Sequence, residues 1–539
     1  MTFDLVIEGG TVVDGTGAPA RRADVGLAGD MVAALGDLAG APRRETLPAA
    51  GLVVAPGFVD AHSHSDVSCL LNPQGTSSLL QGITTEVVGN CGYSLAPFSA
   101  PARAALFDRF LDRCLGLGSG DRVDWDYRTF GEFMAAIERR GTGTNKAFLV
   151  GQGTLRACVM GSRQGPAAPD ERAAMRRLLV EALEAGAVGL STGREYRPGC
   201  YADTDEVIDL ARTLGDYGGL YVSHVRNESD EVEAAVHELI EIGRRSGQPV
   251  QLSHHNVVGR RNRGRLRSTI AAIERARDEG LDVAIDFLHF HPFYHPHRLD
   301  ELFPPEVSGL PFDRMQRAVR AAGFRERMHA AFRDGWVSHL ELTYPGADWD
   351  YNVLDAPGLD LPEHASIAEM AGAKGAHPLD LAIDLVLAAR GPIIVSRVIA
   401  QEDVDRVLRH PLTMMGTDTY AIDGRLDRAM ALHPRNHGAF PRFLARYVRE
   451  RGVMSLPEAI RRLTGYPAER FRLSGRGRLA PGYAADVVVF DPDRIADRAT
   501  LADPYGAPEG IARVFVNGVE VVRDGAARAA RPGRIVRRA

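Results

Sequence analysis

Lysine is nearly absent from this 539-residue chain: Lys146 and Lys374 stand alone, and arginine supplies the rest of the basic charge. That bias reads as genome composition, yet it leaves almost no primary amine for site chemistry. Cysteine is scarce as well. Cys69, Cys91, Cys114, Cys158 and Cys200 are scattered with no paired spacing, which excludes a disulfide framework and leaves at least one thiol free. No stretch approaches eighteen uninterrupted apolar residues, so a membrane-spanning helix is excluded. The opening "MTFDLVIEGGTVVDG" lacks the basic and apolar regions and small-residue cleavage site of a secretion signal, and the expected location is the cytoplasm. The net charge of -6 and pI near 6.3 arise from interspersed Arg, Asp and Glu without a basic stripe. Nucleic acid is therefore not expected as a partner, and neither is a membrane.

What is present is an ordinary globular composition, 45% hydrophobic and 25% charged, at a length that suits one large domain and a smaller one. The two ends resemble each other in pattern. "DLVIEGGTVVDGTG" and "ADVGLAGDMVAALGD" are short alternating runs punctuated by Gly and Asp, and "ADVVVFDPDRI" and "IARVFVNGVEVVRDG" repeat that pattern near the other terminus. Asn517-Gly518 is a hairpin signal. Residues 1–55 and 475–539 are thus expected to form one small β-domain of sandwich type, around a middle domain at 56–474.

The middle alternates buried runs with amphipathic segments. "GFVDAHSH", "TTEVVGNCG", "AFLVGQGT", "AVGLSTG", "LYVSHVRNE", "PVQLSHHNV", "DVAIDFLHF" and "LTMMGTDTY" read as strands. Stretches such as "PDERAAMRRLLVEALEAG" and "TDEVIDLARTLGDYG" carry apolar residues at three and four spacing and read as helices. Eight strands alternating with helices predict an α/β fold, a (β/α)8 TIM-like barrel, with chemistry at the C-terminal strand ends. Residues from about 290 to 400 exceed what one crossover needs and are expected to be an insertion or lid.

The polar residues fall at those strand ends. In "VDAHSHSD", His62 and His64 are two apart, so along a strand both imidazoles face one side. Two parallel imidazoles suit a metal ion but need partners. Cys91 ends the second strand, His224 the fifth, His254 the sixth and Asp418 the eighth. Six metal-competent side chains converging on one barrel mouth are unlike a set of scattered capping residues. His255 points to the opposite face by alternation and is expected to be structural.

Taken together, "PGFVDAHSHSD", "GITTEVVGNCGYSLAP", "GLSTGREYRPG", "YVSHVRNE", "QLSHHNVVG", "HPRNHGAFPRFL" and "RGRLAPGYAADVVVFDP" resemble the amidohydrolase superfamily and, within it, the N-acyl-D-amino-acid deacylases. The match runs in order over nearly the whole chain, and "GNCG" marks the deacylase group. The resemblance implies a zinc hydrolase. Many relatives bridge two metals with a carboxylated lysine at the end of the fourth strand. Here Lys146 precedes its strand "AFLVGQG", at the wrong end of a barrel, and Lys374 lies in the insertion, so no lysine can bridge. Cys91 is the substitute, a thiolate being a strong zinc ligand. By resemblance Cys91, His224 and His254 hold the tight zinc, and His62 and His64 form a second position, weakly held or vacant. Asp418 resembles the family's general base, which takes a proton from water and delivers it to the leaving amine. Tyr196 and Arg435 are substrate contacts, at the carbonyl and at an anionic group, or else packing residues.

Departures fall where the family reads its substrate. Asn256 stands where relatives carry lysine in Ser-His-His-Lys, Leu288, His289 and Phe290 replace a Tyr-Pro-Tyr element, and Thr417-Asp418-Thr419 replaces Ser-Asp-Gly. Asparagine cannot supply a charge-assisted hydrogen bond to an α-carboxylate. The expected reaction is hydrolysis of a linear amide C–N bond in a small molecule, an N-acyl-D-amino acid or a related natural-product or peptide-like amide. The alternatives are a cyclic-amide hydrolase of the hydantoinase or dihydroorotase kind and a non-catalytic scaffold. His289, His291, His295 and His297 form a histidine-rich segment, a reshaped pocket or a further metal site. Oligomeric state is not legible.

Overall fold

The computed structural model describes residues 2–102, 127–259, 262–287, 296–308, 310, 312–333, 349, 351–356, 359, 361, 365–389, 392–396, 399–424 and 433–538. The Gly- and Asp-punctuated runs at the start form β1 (Phe3–Val12), β2 (Arg21–Ala28), β3 (Met31–Gly36), β4 (Arg43–Pro48) and β5 (Val53–Pro56). The barrel strands are β6 (Phe58–Asp60), β7 (Ile83–Val88), β8 (Asn145–Gly151), β9 (Gly189–Gly193), β10 (Leu220–His224), β11 (Val250–Leu252) and β12 (Val283–Phe287). After an insertion holding β13 (Pro296–Arg298), β14 (Tyr351–Asp355) and β15 (Ile393–Ser396), the barrel ends with β16 (Thr413–Met415). The chain finishes in β17 (Val487–Phe490), β18 (Ile511–Val516), β19 (Val519–Arg523) and β20 (Ala526–Ala527).

The chain ends share one nine-stranded sheet, in which β17 pairs antiparallel with β5. Its buried face gathers Ile7, Val25, Leu27, Val54, Val487 and Val489 into a cluster of its own. Asn517 and Gly518 connect β18 to β19 with φ of 48° and 79°. Two successive positive φ values define the hairpin turn whose twist matches the strands, which is why Asn-Gly stands there.

All eight apolar runs of the middle are parallel strands, ordered β16-β12-β11-β10-β9-β8-β7-β6. The ring closes through Ala61 N donating to Met415 O at 3.1 Å and a parallel bridge between Ser63 and Thr419. Val59, Ala61, Val87, Ala147, Leu149, Val222, Ala284 and Met414 fill its interior. Small and branched side chains at alternate positions pack the lumen solid, so it is a core and not a pore. The two sequence-predicted helices are present as Pro169–Glu184 and Thr204–Thr213, the second capped by the Asp203 side chain accepting from Glu206 N.

The insertion has its own architecture: a three-stranded sheet ordered β13-β15-β14, and helices whose Met315, Ile367, Leu379 and Ile383 form a separate buried cluster. Leu288, His289, Phe290, His291 and His295 lie outside the described residues, while His297 lies in β13 opposite Ile394. Lys146 does not precede its strand. It is the second residue of β8, fully buried, and its ammonium pairs with Glu86 on β7. Ala147 and Leu149 face the lumen, so Lys146 points outward, away from the mouth. Among the described residues no helix is long and apolar enough to cross a membrane.

Candidate metal centre

The centre is built where strands end and backbones turn. β7 runs out at Val88 and the Gly89-Asn90-Cys91-Gly92 turn carries the thiol over the neighbouring strands. A Cβ at Gly89 would lie 2.3 Å from Leu149 O, and one at Gly92 would lie 2.5 Å from Gly193 N. Only glycine permits that approach. Asn90 pins the turn, its Nδ2 donating to Ser63 O at 3.2 Å and Val87 O at 2.9 Å. Cys91, His254 and Asp418 have φ of 52°, 29° and 48°. Left-handed backbone at non-glycine residues is uncommon and concentrates at functional sites.

His62 and His64 stand beyond β6, which ends at Asp60, on a loop held by His64 N donating to Thr419 O at 2.7 Å. Their rings lie 5.5 Å apart and both Nε2 atoms approach Asp418 Oδ1, at 3.4 and 3.2 Å. Cys91 Sγ lies 3.3 Å from His62 Nε2 and 3.4 Å from His254 Nε2. His224 Nδ1 lies 2.8 Å from His254 Nε2. The atoms of His62, His64, Cys91 and Asp418 lie within 4.8 Å of one another, and so do those of Cys91, His224 and His254. Cys91 belongs to both groups.

Charge explains the packing. Burial disfavours the His62 cation, but Asp286 and the Cys91 thiolate outweigh it and lift its pKa to about 10. Burial likewise opposes charge on His64, yet hydrogen bonds to Asp418 and Cys91 raise it to about 9. Burial disfavours the His254 cation too, and Glu228 and Cys91 prevail, raising it well above the usual value. Burial pushes the Cys91 thiol up, while His62 and His254 pull it well below its ordinary range. Burial raises Asp418, and Arg435, with Nη2 3.1 Å from Oδ2, brings it far down. The cluster is thus a thiolate and a carboxylate that draw positive charge onto the surrounding imidazoles and Arg435, charge that a bound metal ion would supply in place of the protons.

These donors fit zinc. A tetrahedral ion with bonds of about 2.0–2.3 Å separates its ligand atoms by roughly 3.3–3.7 Å, the range in which Cys91 Sγ meets two imidazoles here. Sulfur with several imidazoles is a zinc set in type as well.

The site also contains carboxylates that the sequence reading did not name. Asp286 accepts from His62 Nδ1 at 2.9 Å, Glu195 meets His224 Nε2 at 2.9 Å, and Glu228 meets His254 Nδ1 at 2.8 Å. A metal-binding imidazole commonly gives its second nitrogen to a carboxylate, which fixes ring and tautomer. That rule is the signal that finds them: each stands on or just beyond a barrel strand. Asp60 ties β6 to the Asp418 loop, accepting from Thr417 N at 2.9 Å and Thr417 Oγ1 at 2.6 Å. His255 points away from the site, its Nε2 2.9 Å from Thr269 Oγ1.

Of the residues read as substrate contacts, Tyr196 has its ring centroid 4.5 Å from that of His224, the planes tilted by 48°. Arg435 is buried, and its Nε and Nη1 have no hydrogen-bond partner among the described residues. Asn256 is buried too: its Nδ2 donates to His254 O at 2.6 Å and its Oδ1 has no partner there. It therefore touches a metal-competent residue through the backbone.

A barrel with a Cys-His centre at its C-terminal mouth and a second sheet from both chain ends defines a metal-dependent hydrolase of the amidohydrolase kind. The Amidohydrolase family model matches residues 45–522. The chain is similar to the D-aminoacylase of Alcaligenes xylosoxydans xylosoxydans, 36% identical over 536 residues, covering 99% of this chain and 98% of that one. It is 38% identical over 541 residues to the N-acyl-D-glutamate deacylase of the same organism, covering 99% and 97%. The solved N-acyl-D-glutamate deacylase of Bordetella bronchiseptica, complexed with zinc and a phosphonate mimic of the tetrahedral intermediate, superposes with a TM-score of 0.81 at 36% identity, covering 100% of both chains. The chain belongs to the amidohydrolase family and, within it, to the N-acyl-D-amino-acid deacylases.

Proposed function

We propose that this enzyme removes the acyl group from N-acyl-D-amino acids or closely related peptide-like amides, with zinc held by Cys91, His224 and His254. His62 and His64, beside Asp418, form a second and weaker position. The observation that supports the reading is the shared thiolate: Cys91 belongs to both ligand groups, where a bridging lysine has no counterpart. When bound, zinc supplies Lewis acidity, polarising the scissile carbonyl and bringing the pKa of water to about 7. Asp418, kept ionised by Arg435, takes the proton from the attacking water and gives it to the leaving amine nitrogen. Asp286, Glu195 and Glu228 hold three imidazoles in place. Tyr196, half-buried beside His224, closes the wall near the substrate carbonyl. Arg435 offers two unengaged N–H groups to the free carboxylate of the substrate, in the planar geometry that suits one.

The barrel resembles those of cyclic-amide hydrolases, but Lys146 faces outward and is consumed by Glu86, so the linear amide is favoured. We place the enzyme in the cytoplasm, a reading supported by the free thiols of Cys69, Cys91, Cys158 and Cys200. The test is a panel on zinc-loaded protein: N-acetyl-D-amino acids, their L forms, the corresponding carboxyl esters, and a hydantoin. Turnover of the D-configured linear amide, with kcat/KM for the free acid falling about tenfold more than that for the ester in Arg435→Met, supports the proposal. Faster turnover of the cyclic amide overturns it.

A further inference from the structure

The opposite end of the barrel holds a second feature. Residues that open or immediately precede strands, Val188, Leu220, Pro249, Asp282 and Leu412, form the floor of a pocket of about 390 Å³. That volume falls within the range of small-molecule sites. Five arginines line it, Arg277, Arg461, Arg470, Arg472 and Arg538, against two carboxylates. Asp282 is shared by Arg277 at 3.3 Å and Arg470 at 2.7 Å, and Glu469 faces Arg478 at 3.7 Å. Arg461 is neutralised by Glu458. Arg472 and Arg538 have no carboxylate partner among the described residues.

Hydrogen bonding shows the same deficit. The Arg470 side chain is 7% exposed; its Nη1 and Nη2 are engaged by Asp282 and Val250 O, and its Nε is buried without a partner among the described residues. Arg538 Nη1 is also buried without a partner, although its guanidinium lies 5.4 Å over the Tyr217 ring. Leaving such buried donor atoms unsatisfied is costly; Arg470 is paired with Asp282, while Arg472 is exposed and Arg538 partly exposed, so the two guanidiniums without a carboxylate stand where an anion from solvent reaches them. Burial lowers the pKa of Arg470, and burial followed by repulsion from Arg472 lowers that of Arg538. A Cβ at Gly218 would lie 2.3 Å from Arg472 Nη1, which places that guanidinium against the Gly218-Gly219 wall of the pocket.

We propose that this pocket is a binding site for a small oxyanion, a phosphate or carboxylate group, received by Arg470, Arg472 and Arg538. Guanidinium forks match both groups in a bidentate manner, and converging positive charge in a recess concentrates anions. The site stands on the barrel face away from the metal centre, so it is distinct from any anion handled at Arg435.

The experiment is calorimetric titration of the zinc-loaded enzyme with inorganic phosphate and, separately, malonate, at matched ionic strength, repeated with Arg472→Gln/Arg538→Gln. Zinc content and amide turnover report whether the variant keeps its fold, since neither residue belongs to the catalytic machinery. One equivalent of saturable binding, weakened about tenfold for each arginine removed, is expected, and the tighter anion identifies the source. Absence of saturable binding to the wild type, or equal affinity in the double variant, overturns the proposal. Should that variant fail to fold, Arg538→Lys is measured instead: it keeps the charge but loses the fork, and undiminished binding of both anions there also counts against the site.

Discussion

Two buried polar clusters sit on the same barrel strands and behave differently. On the outer face of β7 and β8, the Glu86 carboxylate accepts from Ser63 Oγ at 3.0 Å, Ser65 Oγ, Ser78 Oγ at 3.3 Å and Thr144 Oγ1 at 2.6 Å, and pairs with Lys146. Lys146 Nζ also donates to Thr144 Oγ1 at 2.7 Å. That cluster is closed: one cation, one anion, and hydroxyls around them. At the mouth, among the described residues, Asp286, Glu195, Glu228, Asp418 and the Cys91 thiolate face four imidazoles and a single arginine, Arg435. Protonated imidazoles balance it, but with the neutral imidazoles that metal ligation requires it carries an anionic surplus, which a bound cation would meet. Closure marks a cluster that holds the fold, and an unbalanced one marks a place for a cation.

Removing the shared thiolate is the hardest blow to the open cluster. Cys91→Ala should abolish nearly all turnover and lower zinc affinity by more than the roughly 10–100-fold typical of a residue behind a ligand. Zinc per chain after dialysis and kcat measure it, and stoichiometric zinc with normal turnover would contradict the assignment. The alanine chain should unfold at nearly the same temperature as the zinc-free wild type.

The closed cluster should respond the other way. Lys146→Met leaves Glu86 buried without its cation and should destabilise the fold by about 3–5 kcal/mol, while zinc per folded chain and kcat remain. Adding Glu86→Gln should restore part of the loss, because the orphaned charge goes with it. Burial opposes ionisation of Glu86, and Lys146 prevails, so its native pKa lies below the ordinary value. Its stabilisation is therefore complete above the unfolded carboxylate pKa of about 4.3 and is lost as pH falls through the depressed native value. In Lys146→Met the sign reverses, since burial alone raises the native pKa. The stability gap between wild type and variant should begin to narrow above about pH 4.3, as pH falls through the variant's raised native pKa, and go on narrowing below about pH 4.3 as the wild type loses its own contribution; a gap independent of pH in chemical denaturation would count against this reading.

How far these clusters could be read in advance follows from where their partners lie. All eight strands were legible because buried parallel strands are short apolar runs, and the metal-competent groups stood at their C-terminal ends. The carboxylates behind the histidines were not. Asp286 meets His62 across 224 residues, and nothing near His62 signals it. Position along the chain puts Lys146 on the side away from the mouth, but its place inside β8, its outward direction and its partner Glu86 appear only once β7 and β8 are in register. The insertion's sheet was hidden for another reason: β13 has three residues and β15 four, too few for a periodic signal.

Between the extremes lies a carboxylate that touches no ion. Glu228→Gln keeps the shape behind His254 but removes the charge that aligns its ring, so zinc affinity should fall roughly 10–100-fold. Saturating zinc should restore most of kcat, which separates this role from a catalytic one. Unchanged affinity would mean that the His254 ring is held by its backbone alone.

The smallest effect tests whether position 256 is part of the open cluster at all. Asn256 donates to His254 O, and His254 has a φ of 29°, so the amide supports a strained turn carrying a zinc-competent ring. A lysine there supplies a charge toward a substrate carboxylate but surrenders that bond. Asn256→Lys should therefore raise the preference for a free N-acyl-D-amino acid over its carboxyl ester about tenfold, the worth of one charge-assisted contact. Zinc affinity should drop a few-fold at the same time, because a hydrogen bond of about 1 kcal/mol no longer steadies the His254 backbone. The ratio of kcat/KM values, acid over ester, and a zinc competition titration report the two consequences independently. Unaltered selectivity with weakened zinc would make Asn256 a support of the metal centre and leave substrate recognition to Arg435. Altered selectivity with zinc untouched would place the residue on the substrate side and show that His254 keeps its left-handed turn without the amide.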